Sequence, residues 1–271
     1  MDLLRWILFG VLPALAAIVV CVGVGGPRLL ALGLAIALCV PLGMSAGWPD
    51  WPWAISAHHG RPAEWLWWCL AAAGVLGALY DLKWLPKWLL LPLEVLLVAL
   101  LPWLLSGDLR ARWSFEWCVV MLGAAWGVVM ALWWTLRQAT KLQPGMSVPL
   151  CGAIALAADA LVLRARAGGV AWELAGIGAV ALGVAVATTI WRRPFVCGVG
   201  GTLCIALVHL GVLWCGRGER ELLQAPFLLA MVAPLALWLG TTKVFADGRA
   251  TGMVVGVTAC AACAATAVLM L

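Results

Sequence analysis

Residues 88–106 have the sequence WLLLPLEVLLVALLPWLLS, in which Glu94 is the only charged side chain. As an α-helix, a run of this length crosses the roughly 30 Å hydrocarbon core of a bilayer. Its apolar residues are continuous rather than alternating, which excludes a strand of a transmembrane barrel. The stretch therefore predicts a membrane-spanning helix that carries one carboxylate.

The composition extends this prediction to the whole chain of 271 residues. Hydrophobic residues make up 65% and charged residues 11% of the sequence, and the mean hydropathy is +1.06. A soluble domain is about 45–50% apolar and about 25% charged. This composition excludes a soluble enzyme and a disordered chain. The basic residues are scattered over the loops, so we also expect no nucleic-acid partner.

Nine further apolar runs resemble the first. Together they predict an all-α, polytopic integral membrane protein with about ten transmembrane helices in a single domain, residues 1–271. The predicted spans are 3–24, 28–46, 65–80, 88–106, 114–136, 147–163, 172–190, 195–215, 223–241 and 250–271.

The charges in the loops predict the orientation. Counted from the loop after the first span, the odd-numbered loops hold nine basic and two acidic residues. The N-terminus and the even-numbered loops hold eight of each. Because cytoplasmic loops carry an excess of Lys and Arg, the odd-numbered loops are predicted in the cytoplasm and both termini outside.

The third loop, GALYDLKWLPK at 77–87, places Asp81 beside Lys83 and Lys87 at the membrane surface. A carboxylate with two lysines at this depth suits a metal ion or a lipid phosphate. The alternative is a short solvated turn whose lysines extend to the interface.

The same loop resembles the G-x-x-D-D…K…Q segment of the polyprenyl-phosphate N-acetylhexosamine-1-phosphate transferases. These enzymes load a sugar phosphate or a phospho-muramoyl-pentapeptide onto a lipid carrier. Tyr80 occupies the position of the first Asp, Asp81 that of the second and Glu94 that of the Gln. The resemblance covers about residues 70–240.

Two more odd-numbered loops take part in the resemblance. The fifth, RQATKLQPGMSVP at 137–149, is similar to the family's N-A-x-N-x-x-D-G-x-D-G-L, with Pro144 and Ser147 at the aspartate positions. The seventh, RRPFVCGVGGT at 192–202, is similar to P-A-x-x-F-M-G-D-x-G-S, with Val199 at the aspartate position. The family has ten spans and its motifs lie in cytoplasmic loops.

The resemblance implies a Mg²⁺ cofactor, because the metal neutralises the nucleotide diphosphate during phosphoryl transfer. Asp81 is the remaining catalytic and metal-binding candidate, since the other acidic positions are lost. The resemblance therefore implies an inactive or repurposed paralogue, located in the bacterial inner membrane as part of the cell envelope. Its substrate-binding candidates for polyprenyl phosphate or another membrane lipid are basic: Lys83, Lys87, Lys141, Arg192 and Arg193.

Other interpretations stay open. Asp81 and the prolines after it are also similar to the D…P-N-x-L-T-L-P segment of membrane aspartyl prepilin peptidases, although Ser147 stands where the second Asp is needed. A small transporter would use Glu94, Asp159 and His209 as a buried polar path, because ionisable residues inside membranes are usually functional. A structural subunit of a homo-oligomer or membrane complex is a further alternative.

Overall fold

The computed structural model describes residues 7–25, 29–50, 62–81, 86–142, 145–166, 170–192, 197–216, 224–242 and 249–271. Every regular element in these ranges is helical, which confirms the predicted all-α class. In chain order the main helices are α1 (Leu12–Gly25), α2 (Leu30–Ala46), α3 (Pro62–Asp81), α4 (Lys87–Leu105), α5 (Phe115–Leu142), α6 (Ser147–Arg166), α7 (Ala171–Arg192), α8 (Val199–Cys215), α9 (Ala225–Val232) and α10 (Arg249–Leu269). Shorter pieces are the π-turn Ile7–Val11, the turn Gly107–Arg110 and the 3₁₀ helix Ala233–Thr241, which continues α9.

Each predicted span overlaps one of these helices. Six of them, α3 to α7 and α10, are long and apolar enough to cross a membrane. The apolar segments of α1, α2, α8 and of α9 with its 3₁₀ continuation are shorter, at 10–17 residues. The helix lengths are therefore compatible with an integral membrane protein, and they identify six candidate crossings rather than ten.

One boundary difference changes the placement of two cations: the fifth span was predicted to end at residue 136. α5 continues to Leu142, so Arg137 and Lys141 lie on a helix and not in a loop. The sequence contains neither Gly nor Pro between 128 and 143, so nothing stops the helix there. The third span also extends slightly further than predicted, because α3 includes Asp81.

Helix α8 lies at the centre of the bundle and packs against α2, α3, α4, α5, α6 and α7. Its residues from Gly200 to Leu213 are all buried. A helix that is apolar on every side is stable only when other helices surround it. The sequence VGGTLCIALVHLGVLWC meets this condition, with Thr202 and His209 as its polar side chains.

Glycines bring α3 and α8 into backbone contact at their crossing. A Cβ on Gly200 would collide with the backbone of Gly77, and a Cβ on Gly77 would press on the backbone of Gly200. Side chains at these positions would hold the two helices apart, as they do at most helix crossings. The crossing places the end of α3 directly beside the start of α8.

Contacts at the two ends of the bundle agree with helices that run in alternating directions, so that the odd-numbered loops share one end. At one end, the Cys197 amide before α8 donates to the carbonyl of Gly145 before α6, at 3.3 Å. At the opposite end, Arg166 of α6 lies 3.4 Å from the carbonyl oxygens of Met270 and Leu271 after α10. We call the first end, which holds the end of α3 and the starts of α6 and α8, the odd-loop end.

Candidate functional site

Asp81 occupies the junction of α3 and α8 at the odd-loop end. Its Oδ1 accepts a hydrogen bond from the Gly200 amide at 3.3 Å, in the first turn of α8. The N-terminus of a helix is partly positive, so a carboxylate is stabilised there. A Cβ on Gly198 would overlap the Asp81 carboxyl group, so glycine at 198 is needed for this contact.

Glu94 forms a buried ion pair beside this junction. Its Oε2 lies 2.5 Å from Nη1 of Arg137, so α4 and α5 are linked by a charge-assisted hydrogen bond. The Glu94 side chain is 0% exposed and that of Arg137 is 9% exposed. Among the residues that the structure describes, the other carboxylate oxygen of Glu94, Oε1, has no hydrogen-bond partner.

Tyr80 and Trp133 complete the surroundings of the guanidinium. Nη2 of Arg137 donates to the Tyr80 hydroxyl at 3.2 Å. The guanidinium carbon lies 5.4 Å from the Tyr80 ring centroid and 5.1 Å from that of Trp133, within the range of cation–π attraction. Asp81 is also an electrostatic neighbour of Glu94. We call Tyr80, Asp81, Glu94 and Arg137 the odd-loop cluster.

Lys141 lies one helical turn beyond Arg137 on the same face of α5, because residues four apart are neighbours on a helix. Its side chain is exposed, whereas that of Arg137 is buried. Lys141 therefore lies at the surface of the odd-loop end, and Arg137 lies in the interior of the cluster.

The structure unites two of the three acidic residues singled out from the sequence. Asp81 and Glu94 lie together in the odd-loop cluster, but Asp159 does not join them. Of the basic candidates, Lys141 is exposed at this end. Lys83 and Arg193 lie outside the described residues, as do the side chains of Lys87 and Arg192.

Asp159 instead pairs with His209. The sequence analysis placed Asp159 and His209 together only in the transporter interpretation, as parts of a buried polar path. The structure shows the Asp159 side chain fully buried, with Oδ2 2.6 Å from Nδ1 of His209. Arg164 lies over the ring of Trp172 at 5.4 Å. Along α8, His209 is about 14 Å from Gly200, so this pair is a separate polar site nearer the opposite end.

Arg137 is the member of the cluster that the sequence analysis did not single out. It was counted only as one of the loop cations that set the orientation. The signal was available: Arg137 follows the apolar stretch 128–136 without a helix-breaking residue, which places it inside the helix rather than after it.

The residues of the cluster do not fit the Mg²⁺ that the family resemblance implies. Mg²⁺ requires hard oxygen ligands in an octahedral arrangement. Here the guanidinium of Arg137, rather than a metal, neutralises Glu94, and Tyr80 stands where the family has an aspartate. Ser147 is buried without supplying a carboxylate, and Pro144 lies outside the described residues. No group of three or more His, Cys, Asp or Glu in the described ranges is placed to hold a metal.

Comparison with known proteins does not assign the chain to a family. No protein-family model matches the sequence. No curated protein matches it either.

Proposed function

We propose that this is an inner-membrane protein of a bacterial cell envelope in which all ten helices cross the bilayer. Both termini would lie outside and the odd-loop end would face the cytoplasm. The overlap of ten helices with ten predicted spans, the contacts at the two ends and the excess of basic residues in the odd-numbered loops support this arrangement.

We further propose that the odd-loop cluster binds the phosphate of a membrane lipid, polyprenyl phosphate or a phospholipid, without transferring a sugar phosphate to it. The observation that carries the proposal is the position of Arg137, a buried cation at the centre of the cluster. A guanidinium has five N–H donors in a planar fork that suits phosphate oxygens. Glu94 and Tyr80 accept from two of its nitrogens, so donors remain for a ligand.

The other groups of the cluster suit this role. The hydroxyl of Tyr80 accepts its hydrogen bond from Arg137, which leaves its own O–H free to donate to a phosphate oxygen. Lys141 lies one turn closer to the surface, where a lipid headgroup enters. Lys83, Lys87, Arg192 and Arg193 extend the basic surface in this proposal, because all four belong to the odd-numbered loops or to the helix ends next to them.

The same arrangement argues against transfer. The reaction needs a divalent metal that bridges the diphosphate of the donor, and the cluster holds a guanidinium in place of the additional carboxylates. Asp81 is already engaged with the first turn of α8. A peptidase needs two carboxylates that share a proton, and Ser147 stands at the second position, so we do not propose that activity.

The test is a lipid titration followed by native mass spectrometry. Wild type is compared with a triple variant, Lys141→Ala, Arg192→Ala, Arg193→Ala. Each cation near the surface contributes about 1 kcal/mol to lipid binding, so the loss of three weakens binding on the order of a hundredfold. Separate titrations with polyprenyl phosphate and with an anionic phospholipid distinguish the two sources of phosphate.

A matched control removes the same charge from the opposite end: Arg112→Ala, Arg164→Ala, Arg166→Ala. All three side chains are exposed. We expect this variant to bind lipid phosphate like wild type, and we expect added salt to weaken binding to both proteins. Equal lipid retention in the two triple variants would show that the odd-loop cations only set the orientation.

A further inference from the structure

Asp159 and His209 join α6 to α8 by a short contact in a fully apolar environment. Oδ2 of Asp159 lies 2.6 Å from Nδ1 of His209, and the two side chains are 0% and 1% exposed. On the other side of the imidazole, Nε2 lies 3.2 Å from the carbonyl oxygen of Met231 in α9. One histidine thus connects three helices.

The carbonyl of Met231 fixes the proton arrangement of this site. A carbonyl only accepts hydrogen bonds, so Nε2 of His209 carries a hydrogen and donates it to Met231. The contact between Nδ1 and Oδ2 then holds one more proton, bound to the imidazole or to the carboxyl group. In either form the pair has no net charge, which is the arrangement that burial favours.

The local sequence explains why the Met231 carbonyl needs a partner from another helix. After Val232 the chain changes to a 3₁₀ helix, in which a carbonyl bonds the N–H three residues on. For Met231 that residue is Pro234, which has no N–H. His209 supplies the missing donor at the junction of α9 with its 3₁₀ continuation, which we call the break in α9. Broken helices at membrane depth occur where the freed backbone groups face protein or a water-filled cavity.

The surroundings leave the pair isolated. Among the described groups, its electrostatic neighbours are limited to the two partners and the Met231 carbonyl. Oδ1 of Asp159 is buried and has no hydrogen-bond partner in the described part of the chain. From α3 the residue that meets this part of α8 is Leu66, against Gly211, and α7 contributes Gly178, against Val208 and Leu156. The titratable side chains in the described part of α10 are the thiols Cys260 and Cys263, and Cys260 lies 2.9 Å from the buried thiol of Cys151 in α6.

We propose that the Asp159–His209 pair is a proton-binding site that keeps the break in α9 closed. While closed, it holds one proton between Nδ1 and Oδ2. When α9 moves away at the break, water enters, Asp159 becomes an ionised carboxylate, and the proton passes to water. The site is independent of the proposed lipid-phosphate binding, because it uses different residues near the other end of the bundle. It would give the protein a proton-coupled change of conformation.

The pH dependence of opening follows from the proton count. In the open, hydrated form, Asp159 is ionised and His209 is neutral above a pH of about 7, so opening releases one proton. The open population then rises about tenfold for each pH unit. Below a pH of about 6, the hydrated His209 is protonated as well. Opening then releases no proton, and the population no longer changes with pH.

Hydrogen–deuterium exchange of the full-length protein in lipid nanodiscs measures this opening. The readout is the exchange of amides 224–242, corrected for the intrinsic effect of pH. For wild type we expect a rise of about tenfold per pH unit above pH about 7. The isosteric variant Asp159→Asn keeps a hydrogen bond to Nδ1 but has no carboxyl proton, so above a pH of about 7 its exchange should be independent of pH.

Two further variants keep the result interpretable. Cys204→Ala removes another buried side chain of α8, whose thiol lies 3.4 Å from the Ala31 carbonyl, and it should keep the wild-type slope. The double variant Asp159→Leu, His209→Leu leaves no buried charge but frees the Met231 carbonyl, so we expect fast exchange at every pH. A flat profile in wild type, or the same slope in wild type and Asp159→Asn, would overturn the proposal.

Discussion

Arg137 and Glu94, 43 residues apart in the sequence, form an ion pair inside the helical bundle, with 2.5 Å between Nη1 and Oε2. The pair links α4 to α5 at the odd-loop end and places a guanidinium, rather than a further carboxylate, beside Glu94. The proposed lipid-phosphate site and the expected absence of metal-dependent transfer both depend on this relationship.

The first prediction concerns the stability of the pair. Removing one partner leaves an uncompensated buried charge, so Arg137→Met should lower the free energy of unfolding by about 3–5 kcal/mol. The double variant Glu94→Met, Arg137→Met removes both charges and should recover most of that loss. Thermal or denaturant unfolding in detergent measures both effects. A double variant no more stable than Arg137→Met would contradict the prediction, because the loss would then not come from an unpaired buried charge.

The second prediction concerns the crossing of α3 and α8. Gly200→Ala places a methyl group against the backbone of Gly77, which has no side chain that can move aside. We expect a loss of about 1–3 kcal/mol. Gly123→Ala in α5 is the matched control, because a Cβ there meets nothing within 4 Å. Since Ala favours helix by about 1 kcal/mol over Gly, the control should have an equal or higher melting temperature.

The third prediction concerns catalysis. Purified protein supplied with Mg²⁺, polyprenyl phosphate and several UDP-N-acetylhexosamines should form no sugar-linked lipid above the background of protein-free reactions. The physical reason is that no group of three or more His, Cys, Asp or Glu in the described part of the chain is placed to hold the metal. Mass spectrometry of the extracted lipids is the assay. Robust turnover that Asp81→Asn abolishes would contradict the assignment of the metal-binding positions.

The fourth prediction concerns orientation. Reporter fusions after Lys87, Lys141 and Arg193 should all report the cytoplasm, because the three positions lie at or next to helix ends that border the odd-numbered loops. A fusion after Leu271 should report the outside and serves as the control. Reports from different sides of the membrane for the first three positions would refute both the arrangement of ten crossings and the shared site.

The sequence was sufficient to locate the helices, but it did not show which helices pack against each other. Uninterrupted apolar runs such as 88–106 define where helices lie, because backbone groups in a membrane must bond within their own helix. Helix ends were less certain: α5 runs on to Leu142 because nothing in 128–143 stops it, and Arg137 therefore changed from a loop cation to a buried one.

The sequence shows which polar residues lie within apolar runs. It does not show which of them pair, because pairing depends on how helices far apart in the sequence pack together. Glu94 and Asp159 stood out as intramembrane carboxylates, but the partners are 43 and 50 residues away. The sequence gives no periodic signal for such a separation. The break in α9 was visible only in part: Pro234 marks a missing N–H, but its consequence for Met231 depends on where His209 lies in space.

The proposed role of Arg137 in binding a lipid phosphate is tested by the affinity of a variant that lacks this side chain. The double variant Glu94→Met, Arg137→Met keeps the interior free of unpaired charge, so it can be titrated as a folded protein. We predict that its affinity for polyprenyl phosphate or an anionic phospholipid, measured by native mass spectrometry, falls at least about tenfold below wild type, because a bidentate cation is lost. Asp159→Asn, at the other polar site, should bind like wild type. Undiminished binding in the folded double variant would show that Arg137 does not bind the lipid phosphate.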